Sequence, residues 1–161
     1  MRISHLPLRL ATGAFILNSG LEKRGLDADS AAGLQGMAAG AIPKVASMQP
    51  AQFGKALSTG EMALGAALLT PFVGPFKAGA ALTAFSAATL QTYRKTPNLT
   101  QADGIRPTQA GMAIAKDVWM LGAGLALMLD GLTDGARGVA KSTKKSAKKS
   151  AKKAKQALPV G

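Results

Sequence analysis

The chain has 161 residues, with 20 Lys plus Arg against 8 Asp plus Glu, one His and no Cys. That length holds one domain of ordinary size, or one domain and a tail. Without Cys there is no disulfide, no thiolate nucleophile and no thiolate-held iron–sulfur cluster, and a lone His5 excludes Cys/His zinc sites and bis-His haem ligation.

The formal charge of +12 is distributed unevenly. Residues 1–135 hold eleven Lys and Arg together with all eight acids, whereas residues 136–161 hold Arg137 and eight Lys and no acid. The high pI therefore describes a tail, and the chain divides into an apolar domain, 1–135, and a Lys-rich segment, 136–161.

The first apolar stretch spans about residues 6–21, with Arg9 in its first turn, where the long side chain is expected to snorkel to the interface. No small-x-small cleavage site follows and the segment runs into LEKRG, which favours a retained span over a removed leader. The connection from Gly25 to Lys55 is long for a helical bundle. Asp29 or Ser30 is expected to cap a short helix in it that ends before Pro43. Pro50 suits a first helical turn, so the second long helix is expected to start outside the bilayer.

From Met62 to Tyr93 a single charge, Lys77, interrupts 32 residues. A straight helix of that length would reach about 48 Å, against a hydrocarbon core of about 30 Å. Pro71, Gly74 and Pro75 break it in the middle, which predicts a tight hairpin of two spans, about 56–73 and 76–93. A fourth span is expected over about 111–129, with Lys116 and Asp117 near its start. Stretches 62–76 and 78–93 are apolar all round, and a chain this short cannot bury two such helices in a water-soluble core. The expected fold is thus all-α, a transmembrane four-helix bundle with a disordered basic C-terminal tail.

An even number of spans puts both termini on one side, and the basic tail makes that side cytoplasmic, which predicts a multi-pass protein of the cell inner (plasma) membrane. Tyr93 and Trp119 then fall at the outer interface. Small residues at four-residue spacing, Ala80, Ala84 and Ala88 in the third span and Gly122 and Ala126 in the fourth, are the expected helix-packing stripes. Glu22, Glu61, Lys116 and Asp117 reach a similar depth in three spans. They read as interfacial ion pairs or as a polar pocket for a quinone headgroup. No catalytic residue, metal site or cofactor of its own is assigned to the chain.

RLATGAFILNSGLEK (Arg9–Lys23), GEMALGAALL (Gly60–Leu69), TPFVGP and AKDVWMLGAGLALML (Ala115–Leu129) resemble the DoxX-like family of small four-helix membrane proteins over about Leu8–Gly131. The Ala/Gly-rich style is similar to actinobacterial proteins, among which a small protein of this kind accompanies the cytochrome bcc–aa3 respiratory supercomplex. The resemblance implies links to thiosulfate:quinone oxidoreductases and membrane redox assemblies, and marks Arg9, Glu22, Glu61, Lys116 and Asp117 as polar positions of interest. The expected function is a non-catalytic membrane accessory subunit that stabilises a larger respiratory electron-transfer complex. The alternative is a quinone-binding subunit of an oxidoreductase.

KSTKKSAKKSAKKAK (Lys141–Lys155) repeats with a period near four. Its lysines, Lys144, Lys145, Lys148, Lys149, Lys152 and Lys153 among them, are expected to meet anionic lipid headgroups. An acidic protein partner and, last, nucleic acid are the lesser alternatives, since no aromatic residue interleaves the lysines for base stacking.

Overall fold

The structure, a computed structural model, describes residues 5–156 and is built from helices. Among these residues the sole β feature is one antiparallel bridge, Thr100 to Pro107. Met1–Ser4, and residues 157–161 of the expected tail, lie outside the described residues.

Helix α1 (Leu6–Glu22) opens with Pro7 in its first turn and runs into a 3-10 turn, Lys23–Gly25. Helix α2 (Ala28–Ala41) is capped by Asp27, not by Asp29 or Ser30: the Asp27 carboxylate accepts from the Ser30 amide at 2.7 Å and from the Ser30 hydroxyl at 2.9 Å. A second 3-10 turn, Pro43–Ser47, is tied back to α2 by the buried Gln35, whose Nε2 donates to the carbonyls of Val45 (2.7 Å) and Met48 (2.6 Å).

Helix α3 (Pro50–Leu69) starts at the proline, as expected, but stops four residues short of the expected Val73. Residues 70–74 make the hairpin turn, and Pro75 opens α4 (Pro75–Lys95). The predicted hairpin break therefore falls where Pro71, Gly74 and Pro75 put it. A loop follows in which Asn98 and Gly104 adopt left-handed φ values of 66° and 68°. Tyr93, expected at the lipid interface, is buried instead, and its hydroxyl donates to the Ile105 carbonyl at 2.8 Å, holding this loop against α4.

The expected fourth span is interrupted. A four-residue helix α5 (Met112–Ala115) is followed by a break at Lys116 and Asp117, and then by α6 (Val118–Gln156). Helix α6 passes through residue 129 without stopping. The tail expected to be disordered continues it as helix to Gln156. Its Ala and Lys residues are strong helix formers, no proline occurs before Pro159, and the helix is already nucleated in the domain.

Two antiparallel pairs make the bundle: α1 with α3, and α4 with α6. Glycine sets their approach. A Cβ on Gly65 would stand 2.6 Å from the Leu17 amide nitrogen, and one on Gly79 would stand 2.6 Å from the Gly124 carbonyl oxygen. Backbones this close bring many atoms of the paired helices into dispersion contact. The expected stripe is displaced from this seam. Ala84, Gly122 and Ala126 are exposed, Ala80 and Ala88 are half-buried, and nothing lies within 4 Å of a Cβ placed on Gly122. The true seam lies one or two positions away, because a shift of one residue turns a helix by about 100°.

The two pairs meet in a shared apolar core. Ile16 of α1, Leu64 and Leu68 of α3, Leu82 of α4 and Met120 and Leu127 of α6 form the shared core. Helix α2 packs on both α3 and α4 and so bridges the pairs at one end.

Candidate ligand cavity and its polar edge

At the end bridged by α2 the two pairs leave a cavity of about 370 Å³ between them. Phe15, Phe53, Phe85 and Met120 supply walls from all four long helices, and Leu34, Met37 and Ile42 supply a cover from α2 and its exit. Aromatic and thioether walls with a few grouped polar side chains are the usual composition of a small-molecule site, and the volume falls in the usual range.

Lys23 and Glu61 meet at 2.9 Å on one edge of this cavity. The Lys23 ammonium also donates to the Ser19 hydroxyl at 2.6 Å. Glu61 is 4% exposed, and within this apolar wall its carboxylate has Lys23 as its partner of opposite sign. Asp117 and Lys116 line the cavity from the break before α6, and the Lys116 ammonium sits 5.7 Å from the centre of the Phe15 ring, a cation–π contact. Three of the four residues singled out from the sequence, Glu61, Lys116 and Asp117, thus line one cavity.

Glu22 does not join them. It is exposed on the other side of α1, where it accepts a hydrogen bond from Asn18 at 2.8 Å. Lys23 takes its place. The signal for it lay in the helical register: Ile16, Ser19 and Lys23 recur at three and four residues on one face.

Arg9 has a different role from the one expected. It does not snorkel, and its residue is 1% exposed. Its Nε donates to the Leu68 carbonyl (2.7 Å), Nη1 to Val73 (3.0 Å), and Nη2 to Ala67 (2.9 Å) and Thr70 (2.7 Å). These are the carbonyls that the end of α3 and the following turn leave without amide partners, so Arg9 serves as a cap delivered from the neighbouring helix. At the same end of the bundle His5 is buried and contacts Asp130 of α6 at 2.6 Å.

A second, shallower cleft of about 420 Å³ lies open between α1 and α6, lined by Leu8, Ala11, Trp119, Gly122 and Ala126. Among the described residues no three His, Asp or Glu side chains gather as metal ligands. Compared with family models, curated proteins and solved structures, the chain gives no match.

One helical stretch, Met112–Lys148, is long and apolar enough to cross a membrane by length and composition. The four-span expectation narrows to that one among the described residues. Helix α1 has only 17 residues, and α3 and α4 are diluted by Gly, Ser, Thr, Gln and charged residues.

Proposed function

We propose that this chain is a four-span membrane protein that holds an amphipathic ligand of the quinone class between its two helix pairs. It would work as a non-catalytic subunit of a larger respiratory electron-transfer assembly. The observation that carries this reading is the cavity: apolar and aromatic walls, partly covered by α2, with Lys23, Glu61, Lys116 and Asp117 gathered at one edge. A quinone ring stacks on aromatic walls, its carbonyl oxygens accept from an ammonium, and a nearby carboxyl group can exchange protons with the reduced form. With no Cys and one His, the chain brings no thiolate or bis-His ligand set of its own, so electrons would come from a partner.

Polarity supports the membrane part of the reading. Leu10, Phe15 and Leu21 of α1 and Trp119, Leu125 and Leu129 of α6 face outward, while Arg9 and Glu61 face inward. Large apolar side chains exposed in this way need lipid or a protein partner to cover them. The polar levels, Arg9 with His5 and Asp130 at one end and Lys23 with Glu61 at the other, are separated by about 21 Å along α1 at 1.5 Å per residue. Both fit within a hydrocarbon layer of about 30 Å, which accounts for why these charges are paired or capped. On this reading both termini are cytoplasmic, on the side of the basic tail.

A second reading, an accessory subunit that binds no ligand and only stabilises the assembly, draws on the open cleft between α1 and α6. Its small residues and Trp119 would admit a partner helix. The two readings separate experimentally. The purified protein in mild detergent, titrated with decyl-ubiquinone, should show saturable binding that Glu61→Gln weakens about tenfold, a change of about 1.4 kcal/mol. Equal binding by Glu61→Gln, or none by the wild type, while the protein still copurifies with a large membrane complex, would leave the second reading standing.

A further inference from the structure

Helix α6 outlasts the bundle. Its packing on α4 runs to Gly131, where a Cβ would stand 2.5 Å from the Phe76 amide nitrogen. Beyond it Leu132, Thr133, Gly135, Ala136, Arg137 and Gly138 are exposed, and the helix continues to Gln156. Residues 132–156 would extend about 37 Å at 1.5 Å per residue. The helix emerges at the end of the bundle that holds Arg9, His5 and Asp130.

From Ala136 onward the chain carries nine basic residues and no acid. Helical register sets Lys141, Lys144, Lys145 and Lys148 along one side, three and four residues apart, and Thr143, Ser146, Ala147 and Ser150 along the other. The segment 140–156 has no large apolar residue, so it cannot insert into a bilayer as an amphipathic anchor. What a one-sided lysine row recognises is a dense, extended array of negative charge.

We propose that the helical tail lays this lysine row on the anionic phospholipid headgroups of the leaflet from which α6 emerges, bending at the glycines Gly135 and Gly138. The proposal rests on the membrane-spanning reading above. Charge complementarity names the partner class, and continuity with α6 selects lipid over nucleic acid: the leaflet is tethered to the tail at all times, and tethering makes docking intramolecular. Nothing contacts the Cβ positions of Gly135 and Gly138, so the junction bends without breaking any packing.

The absence of Cys makes a clean test available. Ser146→Cys in the full chain takes one fluorophore on the side opposite the lysine row. The protein is placed in nanodiscs of phosphatidylcholine alone, or of phosphatidylcholine with phosphatidylglycerol, each carrying a headgroup acceptor dye. Energy transfer should rise several-fold with phosphatidylglycerol. It should fall back when salt shortens the screening length to about 3 Å at 1 M. Replacing Lys144, Lys145, Lys148, Lys149, Lys152 and Lys153 by Gln should abolish the rise. Equal transfer in both discs, persistence in high salt, or displacement of the tail from anionic discs by duplex DNA would overturn the proposal, the last in favour of a nucleic-acid partner. Flotation of the six-Gln variant with neutral vesicles after carbonate washing checks the spanning reading separately. If it floats, a failure in the discs belongs to the tail alone. If it does not float, the spanning reading falls and takes the docking proposal with it.

Discussion

Arg9 stands where the last turn of α3 runs out of amide partners, and its guanidinium supplies them to four carbonyls at 2.7–3.0 Å. Removing it leaves those acceptors unpaired in a buried setting. Arg9→Ala should cost about 3–5 kcal/mol, the range for breaking a buried, charge-assisted network. Arg9→Lys should recover only part of this, because an ammonium has three donors and no planar fork. Thermal unfolding of the two variants in detergent checks the order. A charge near the start of an apolar helix is legible in sequence, but its partner is not. The same Arg would snorkel if the α3–α4 turn lay elsewhere, and nothing in residues 6–21 says that residues 67–73 fold back beside it. For the cavity the reverse holds. Glu61, Lys116 and Asp117 were legible because ionisable groups in apolar helices are costly and therefore collect at sites. Glu22 and Lys23 lie at the same depth along α1 and differ by about 100° in phase around it, and it is the phase that puts Lys23 at the cavity and Glu22 at the surface.

The hairpin α3–α4 and the helix start at Pro50 follow directly from proline chemistry, which acts through the local backbone and needs no partner. The packing seam does not. Small residues repeat on several faces of α4 and α6, and only the facing helix selects Gly79 and Gly124 over Ala84 and Gly122. The selection is testable on both pairs. Gly65→Ala would force a methyl to 2.6 Å from the Leu17 backbone and should destabilise by about 1–3 kcal/mol through overpacking. Gly122→Ala, with open space around its Cβ, should be neutral or stabilise by up to about 1 kcal/mol through helix propensity. Detergent melts of the two variants should therefore move in opposite directions or differ by several degrees. The loop after α4 carries its own prediction. Asp103 accepts from the Arg106 side chain and from the amides of Ile105 and Arg106, and these hydrogen bonds, the Arg106 side chain's first, hold its carboxyl down to about 2. A depressed acid stabilises the folded loop above the ordinary carboxylate value of about 3.9, and that contribution disappears as pH falls through about 2. The amide signals of Ile105 and Arg106 should hold steady from neutral pH to about 4 and shift below it; in Asp103→Asn they should not titrate in that window.

At the scale of the whole molecule the chain is two antiparallel helix pairs, α1 with α3 and α4 with α6, joined by α2 and a shared core, and the orientation of those pairs decides what the cavity faces. The polar edge of Lys23, Glu61, Lys116 and Asp117 lies at the end opposite Arg9, the α3–α4 turn and the exit of α6. If four helices cross, the loop at residues 96–111 and the cavity share one side of the membrane, and the turn at residues 70–74 shares the other with the basic tail. The nine basic residues beyond Ala136 then assign the second side to the cytoplasm. Because the chain has no Cys, single substitutions report this directly. In intact cells a membrane-impermeant maleimide should label Gln101→Cys, which is exposed in the loop after α4, and should leave Ser146→Cys unlabelled until the membrane is opened. Phe72→Cys, at the 94% exposed tip of the hairpin turn, should behave like the tail. Labelling of Gln101 and Phe72 positions from the same side would mean that α4 does not cross. The bundle would then be a water-facing domain carried on the Met112–Lys148 helix alone, and the outward leucines of α1 would need a protein partner rather than lipid to cover them.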